Sequence, residues 1–223
     1  MTTENAFEIW QSRLRKHGLD EVRRLARARP LKPRARRFMF LRHGETEGNA
    51  RRVYQPPDIS LNPAGLAQAK LAAEYLREHP IERILASDMR RAWETAQAAA
   101  ETVGAPVIPE PRLRERWFGD LVGTSSMDLD WRNEPPNGES LPEFVMRTQA
   151  GIQDALDTNA STLLVAHGGS LYVLVFSLGA ELLEQHIANA TPLLFEYEPG
   201  ADRWRISNIA PKHLTAGYRT TAD

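Results

Sequence analysis

The 223-residue chain contains no cysteine. That excludes disulfides, thiolate metal sites and any reaction run by a cysteine nucleophile. It also fits a reducing compartment. No apolar run approaches the roughly 20 residues that span a bilayer, and the N-terminus lacks a signal-peptide core. A soluble, cytoplasmic protein without a membrane partner is expected. Net charge is scarce too, at −1, but it is unevenly spread. Residues 1–37 hold 11 Lys and Arg against 4 Asp and Glu, and the remainder holds 17 against 25. A mildly acidic body therefore carries a basic N-terminal extension. Charge alone is a weak sign of nucleic-acid binding, and no nucleic-acid partner is expected.

What is present is a globular balance of 42% hydrophobic and 26% charged residues, enough for a real core. Phe7, Trp10 and Leu14, then Leu19, Val22 and Ala26, recur at helical spacing on either side of Gly18. This predicts two short amphipathic helices, packed on the main body or on a second subunit of a homodimer. Pro30 and Pro33 bound a linker, so residues 1–36 read as a helical extension and 37–223 as the main domain.

From Arg37 onward, short apolar strands alternate with helices. Strands are expected at 38–41, 81–86, 105–108, 162–166, 192–197 and 204–206. Helices are expected at 63–78, 88–103, 140–156 and 170–178, the first capped by Asn62-Pro63. Continuous apolar strands alternating with helices predict an α/β fold: a three-layer α/β/α sandwich around a mostly parallel, mixed sheet. Ligands in such folds sit beyond the carboxyl ends of the strands.

The unusual residues fall at those ends. Two strands close alike, as Leu41-Arg42-His43-Gly44 and Val165-Ala166-His167-Gly168. Each sets a histidine at a strand tip, with a glycine that leaves backbone N–H groups open to a ligand. A third strand ends at Ser87, and the following helix presents Arg90 and Arg91 in its first turn. Two histidines and several arginines on one rim make a cationic pocket. The planar guanidinium fork matches phosphate oxygens, so the pocket suits a phosphoryl group on a small substrate. There is no Walker-type loop, and Asp128-Leu129-Asp130 lacks the buried strand that an aspartyl-phosphate enzyme would need before it.

The stretch from Leu41 to Asn49 (LRHGETEGN) resembles the signature of the histidine phosphatase superfamily, in its phosphoglycerate mutase-like branch. Ser87 to Ala96, Leu113 to Gly119, Gly138 to Leu141 with Arg147, Ala166 to Gly169, Asn189 to Thr191 and Asn208 to Leu214 resemble its later motifs in order. The likeness implies that His43 becomes a phosphohistidine and that Glu115 is the general acid and base. Arg42, Asn49, Arg91, His167 and the Gly168 amide would hold phosphate oxygens. Arg52, Tyr54, Gln55, Arg116 and Trp117 are candidates for contacting the rest of the substrate. No metal or organic cofactor is implied.

The superfamily holds phosphatases and mutases. Here the segment after the first motif is Arg52-Val53-Tyr54-Gln55-Pro56-Pro57, where proline removes an N–H that a substrate carboxylate would use. Only 14 residues separate Gly123 from Gly138, too few for the basic clamp of a mutase. A short cap predicts water access and hence hydrolysis. A mutase-type isomerase is the alternative, and an inactive phospholigand-binding scaffold a more distant one.

Overall fold

The computed structural model describes residues 17–210. Helix α1 (Leu19–Ala28) precedes strand β1 (Arg37–Arg42), a single-turn helix α2 (Glu47–Ala50) and helix α3 (Pro63–Leu76). Then come β2 (Arg83–Ala86), α4 (Arg90–Val103), β3 (Val107–Pro109) and α5 (Leu141–Leu156). The chain closes with β4 (Thr162–Ala166), α6 (Gly168–Ser177), β5 (Pro192–Glu198) and β6 (Arg203–Asn208). The six strands form one sheet in the order β3-β2-β4-β1-β5-β6. Strands β1 to β4 run parallel, while β5 is antiparallel to both β1 and β6.

Alternation along the central strands divides the core between two faces. Phe38, Phe40, Leu164 and Phe195 pack with α1, α5 and α6. Met39, Leu41, Leu163 and Val165 pack with alanines of α3 and α4, among them Ala72, Ala96 and Ala99. Side chains on neighbouring strand positions point to opposite faces, so an unbroken apolar run fills both layers. The three-layer α/β/α sandwich expected from the sequence is the result.

The helix caps follow local chemistry. Asn62 accepts from the Gly65 amide with Pro63 at the first position of α3, and Ser140 forms a capping box with Glu143 at α5. Some boundaries differ from expectation. The second strand begins at Arg83 rather than Ile81, and β3 runs from Val107 to Pro109 rather than from Ala105. Helix α4 starts at Arg90, two residues late, because the backbone at Met89 is extended; Asp88 pairs with Arg114 at 2.5 Å. Helix α6 starts at Gly168, two residues early, immediately after His167. Of the two predicted N-terminal helices, the second is α1, with Leu19, Val22 and Ala26 buried. The first lies outside the described residues, as does the end of the expected match beyond residue 210.

Two glycines set the approach of α3 to the loop after β1. A Cβ on Gly65 would lie 2.0 Å from the Glu45 carbonyl oxygen, and one on Gly44 would lie 2.4 Å from the Gly65 carbonyl oxygen. Both obstacles are backbone, so neither can swing aside. Gly65→Ala should therefore cost about 1–3 kcal/mol by overpacking, read as a lowered urea midpoint at unchanged m-value. An unaltered midpoint would mean that the loop and helix are not held this close.

Candidate active site

Strands β1 and β4 are parallel neighbours with Arg42 opposite Ala166, so the residues after them, His43 and His167, emerge side by side. Their ring centroids are 5.2 Å apart. Both rings are buried. His43 Nδ1 lies 2.7 Å from the Gly44 carbonyl oxygen. A carbonyl only accepts, so Nδ1 carries the proton and Nε2 keeps its lone pair. Arg91 Nε donates to that Nε2 at 3.3 Å. Burial, with the guanidiniums of Arg91 and Arg42 alongside, holds the proton affinity of His43 well below 6.5. The ring is neutral at pH 7.

His167 Nε2 meets Ser87 Oγ at 2.8 Å, and burial with Arg91 nearby lowers its proton affinity in the same way. Burial pulls Arg91 down to about 10, which still leaves it charged at neutral pH. Arg91 also donates to the Pro56 carbonyl at 3.2 Å, and Arg42 to the Ile187 carbonyl at 2.5 Å. Two buried atoms here, Arg42 Nε and His167 Nδ1, have no hydrogen-bond partner among the described residues. Unpaired polar atoms in a buried cationic site are what an anion with several acceptor oxygens would satisfy.

Glu115 is held from both oxygens, by the Gly169 amide on Oε2 and the Arg116 amide on Oε1, each at 3.0 Å. It thereby sits at the N-terminus of α6, fixed by backbone amides. Gly169 is required there, since a Cβ would lie 2.1 Å from Glu115 Oε1 and 2.6 Å from the Trp131 ring. Arg147 donates to the carbonyls of Arg112 and Arg114 at 2.8 and 3.0 Å and pairs with Glu139 at 2.7 Å. It fixes the segment that carries Glu115. Asn49 closes the capping box of α2, accepting from the Thr46 amide at 3.1 Å.

A cavity of about 130 Å³ gathers these groups. Its lining combines polar groups, Arg42, His43, Asn49, Arg91, Glu115 and Arg116, with the largely apolar Val53, Tyr54, Trp117, Phe118, Leu129 and Trp131. Gln55 lines it too, with its Oε1 accepting from Thr46 Oγ1 at 2.6 Å. At the tip of β4, the His167 ring meets Ser87, and Gly168 lies against the Arg42 guanidinium. Arg52 does not reach the cavity; its residue takes φ 52, and its carbonyl accepts from Ser126.

Arg116 lines the cavity as well. Its guanidinium is buried and donates to the carbonyls of Glu139, Trp131 and Asn133 at 2.9, 2.7 and 2.8 Å. These bonds hold the cap, and the residue also borders the cavity, where a contact to substrate was expected of it. Sequence reasoning gave no separate role to Ser87, to Thr95, which accepts from the Gly44 amide at 3.0 Å, or to Asn189, which donates to the His43 carbonyl at 2.9 Å. Only Ser87, at the end of β2, carried a local signal; Thr95 lies inside α4 and Asn189 precedes β5. Among the described residues, no three His, Asp or Glu side chains are arranged to hold a metal, and no helix is long and apolar enough to cross a membrane.

The buried imidazoles fix an acid response. His43 and His167 bind protons well below 6.5 and His186 only at about 4, all through burial. Below pH 6.5 the unfolded chain takes up these protons and the folded chain does not. Their share of stability is complete above pH 6.5 and is lost on acidification, by up to about 1.4 kcal/mol per pH unit for each histidine. Urea midpoints between pH 7 and pH 5 should fall accordingly. A flat profile would contradict three neutral buried rings.

Known proteins supply an independent comparison. A family model described as the histidine phosphatase superfamily (branch 1) matches residues 38–210. The chain is 32% identical over 212 residues to glucosyl-3-phosphoglycerate phosphatase of Mycobacterium tuberculosis, covering 78% of this chain and 93% of that one. It is 34% identical over 153 residues to “Probable phosphoglycerate mutase GpmB” of Photorhabdus laumondii, covering 61% and 71%. The solved structure of the mycobacterial glucosyl-3-phosphoglycerate phosphatase with VO3 superposes with a TM-score of 0.63 at 27% identity, covering 78% of this chain and 98% of that one. With the model matching most of its length, the chain belongs to the histidine phosphatase superfamily, branch 1.

Proposed function

We propose that the protein is a phosphatase that hydrolyses a small phosphomonoester through a phosphohistidine on His43, without a metal. The observation that carries this reading is the state of His43: neutral, with its proton held on Nδ1 by the Gly44 carbonyl and its Nε2 lone pair facing the cationic pocket. Relatives described as phosphatases support it.

In the first step, Nε2 attacks phosphorus, the P–N bond forms and the ester P–O bond breaks. Glu115 passes its proton to the departing oxygen. In the second, water attacks phosphorus, gives a proton back to Glu115 and breaks the P–N bond, which releases inorganic phosphate and the neutral imidazole. The non-bridging oxygens are gripped by Arg42, Arg91, His167, Asn49 and the Gly168 amide. Phosphoryl transfer depends mainly on positioning and charge stabilisation, which these donors supply. The leaving group lies against Tyr54 and Trp117.

Hydrolysis is favoured over mutase chemistry by the segment after the first motif. Pro56 and Pro57 turn carbonyls, not donors, toward Arg91 and Arg90. A substrate carboxylate finds no grip there.

The test is turnover of p-nitrophenyl phosphate in EDTA. Wild type should be active, and His43→Ala should lose about a thousandfold or more. Glu115→Gln should lose at least about a hundredfold. Equal activity of His43→Ala and wild type would sink the mechanism.

A further inference from the structure

The cap over the site is short, yet its inner residues are tied to α1, a helix that precedes the family match. The His17 carbonyl accepts from the Trp131 amide at 2.9 Å. Its ring Nδ1 donates to the Leu129 carbonyl at 3.0 Å. Gly18 follows in a left-handed turn, φ 71, pressed against the same loop. A Cβ there would lie 2.2 Å from Asp130 Oδ1 and 3.1 Å from the Arg132 backbone nitrogen. Asp130 in turn closes the loop on itself by pairing with Arg132 at 2.5 Å.

The anchor behind this contact is firm. Leu19, Val22 and Ala26 lie in the same core cluster as Trp131, Phe144 and Leu171. Gln149 donates to the carbonyls of Ala26 and Arg29 at 2.8 Å each, closing the helix end against α5. Ahead of the contact lies the site. Leu129 and Trp131 line the cavity, and the carbonyls of Trp131 and Asn133 hold the Arg116 guanidinium. The Arg116 amide donates to Glu115, and the Trp131 ring closes over Gly169 beside that carboxylate. An unbroken series of contacts thus runs from His17 through residues 129–133 and Arg116 to Glu115.

We propose that residues 17–29 are an in-cis brace for the active-site cap, with His17 and Gly18 as positioning residues. They hold the loop that forms the leaving-group wall and thereby orient Glu115. They do not touch the phosphate-binding end. The functional consequence rests on the phosphatase reading, while the mechanical one does not.

The test compares wild type with His17→Ala, which deletes the ring bond alone, and Gly18→Ala, which adds a Cβ in a left-handed turn against the loop. Three quantities are read: kcat/KM for p-nitrophenyl phosphate, the inhibition constant for inorganic phosphate, and amide hydrogen exchange at residues 129–133. Each variant should lose about fivefold to tenfold in kcat/KM, on the scale of one hydrogen bond. Exchange in the loop should rise, while phosphate inhibition stays within about twofold, since the anion end is untouched.

Unchanged exchange in both variants overturns the brace. Parallel loss of phosphate inhibition also overturns it, because the damage would then be general. If wild type proves inactive, the phosphatase reading fails, and loop exchange still decides whether the brace exists. Faster exchange with unchanged kcat/KM in an active enzyme overturns the positioning role.

Discussion

A neutral imidazole held between two buried guanidiniums is the constraint on which the site depends. His43 is denied a proton by burial and by Arg91 and Arg42, and its single remaining proton is tied to the Gly44 carbonyl. Both effects act on the same ring and in the same sense. One keeps the base uncharged; the other directs its lone pair outward. The arrangement leaves an excess of positive charge with the unpaired Arg42 Nε–H nearby, which is costly without an anion and favourable with one. Glu115 lines the same cavity and is fixed by two backbone amides rather than by an arginine pair.

The fold supplies this geometry through register and close approach. Parallel pairing of β1 with β4 puts the two histidines at one level. The back-to-back contact of Gly44 with Gly65, and the contact of Gly169 with Glu115, bring backbone to where side chains elsewhere would intervene. Around that frame, arginines act as ties. Arg147 and Arg116 together take five backbone carbonyls and so give loop segments the order that strands have by pairing.

Much of this was legible in the sequence because the signals were local. Apolar runs ending in histidine and glycine gave the central strands, and Asn62-Pro63 and Ser140 gave helix starts. Helix α6 was placed two residues late because Gly168-Gly169 reads as loop, whereas Glu115 and Trp131 need the helix to begin there without side chains. Helix α2 is a single turn, too short to show a period. The hold of Arg116 on the cap is not legible, because its partners are backbone carbonyls 15 to 23 residues away, which leave no pattern in the sequence. The docking of His17 on residues 129 and 131 is more distant still.

The account stands or falls on the phosphohistidine. Acid-free quench of the Glu115→Gln variant after brief mixing with p-nitrophenyl phosphate, followed by peptide mass spectrometry under basic conditions, measures it directly. One phosphoryl group is expected on the peptide carrying His43, and none in His43→Ala. Burst release of p-nitrophenol with phosphate on another residue, or turnover with no burst and no labelled peptide, would contradict it.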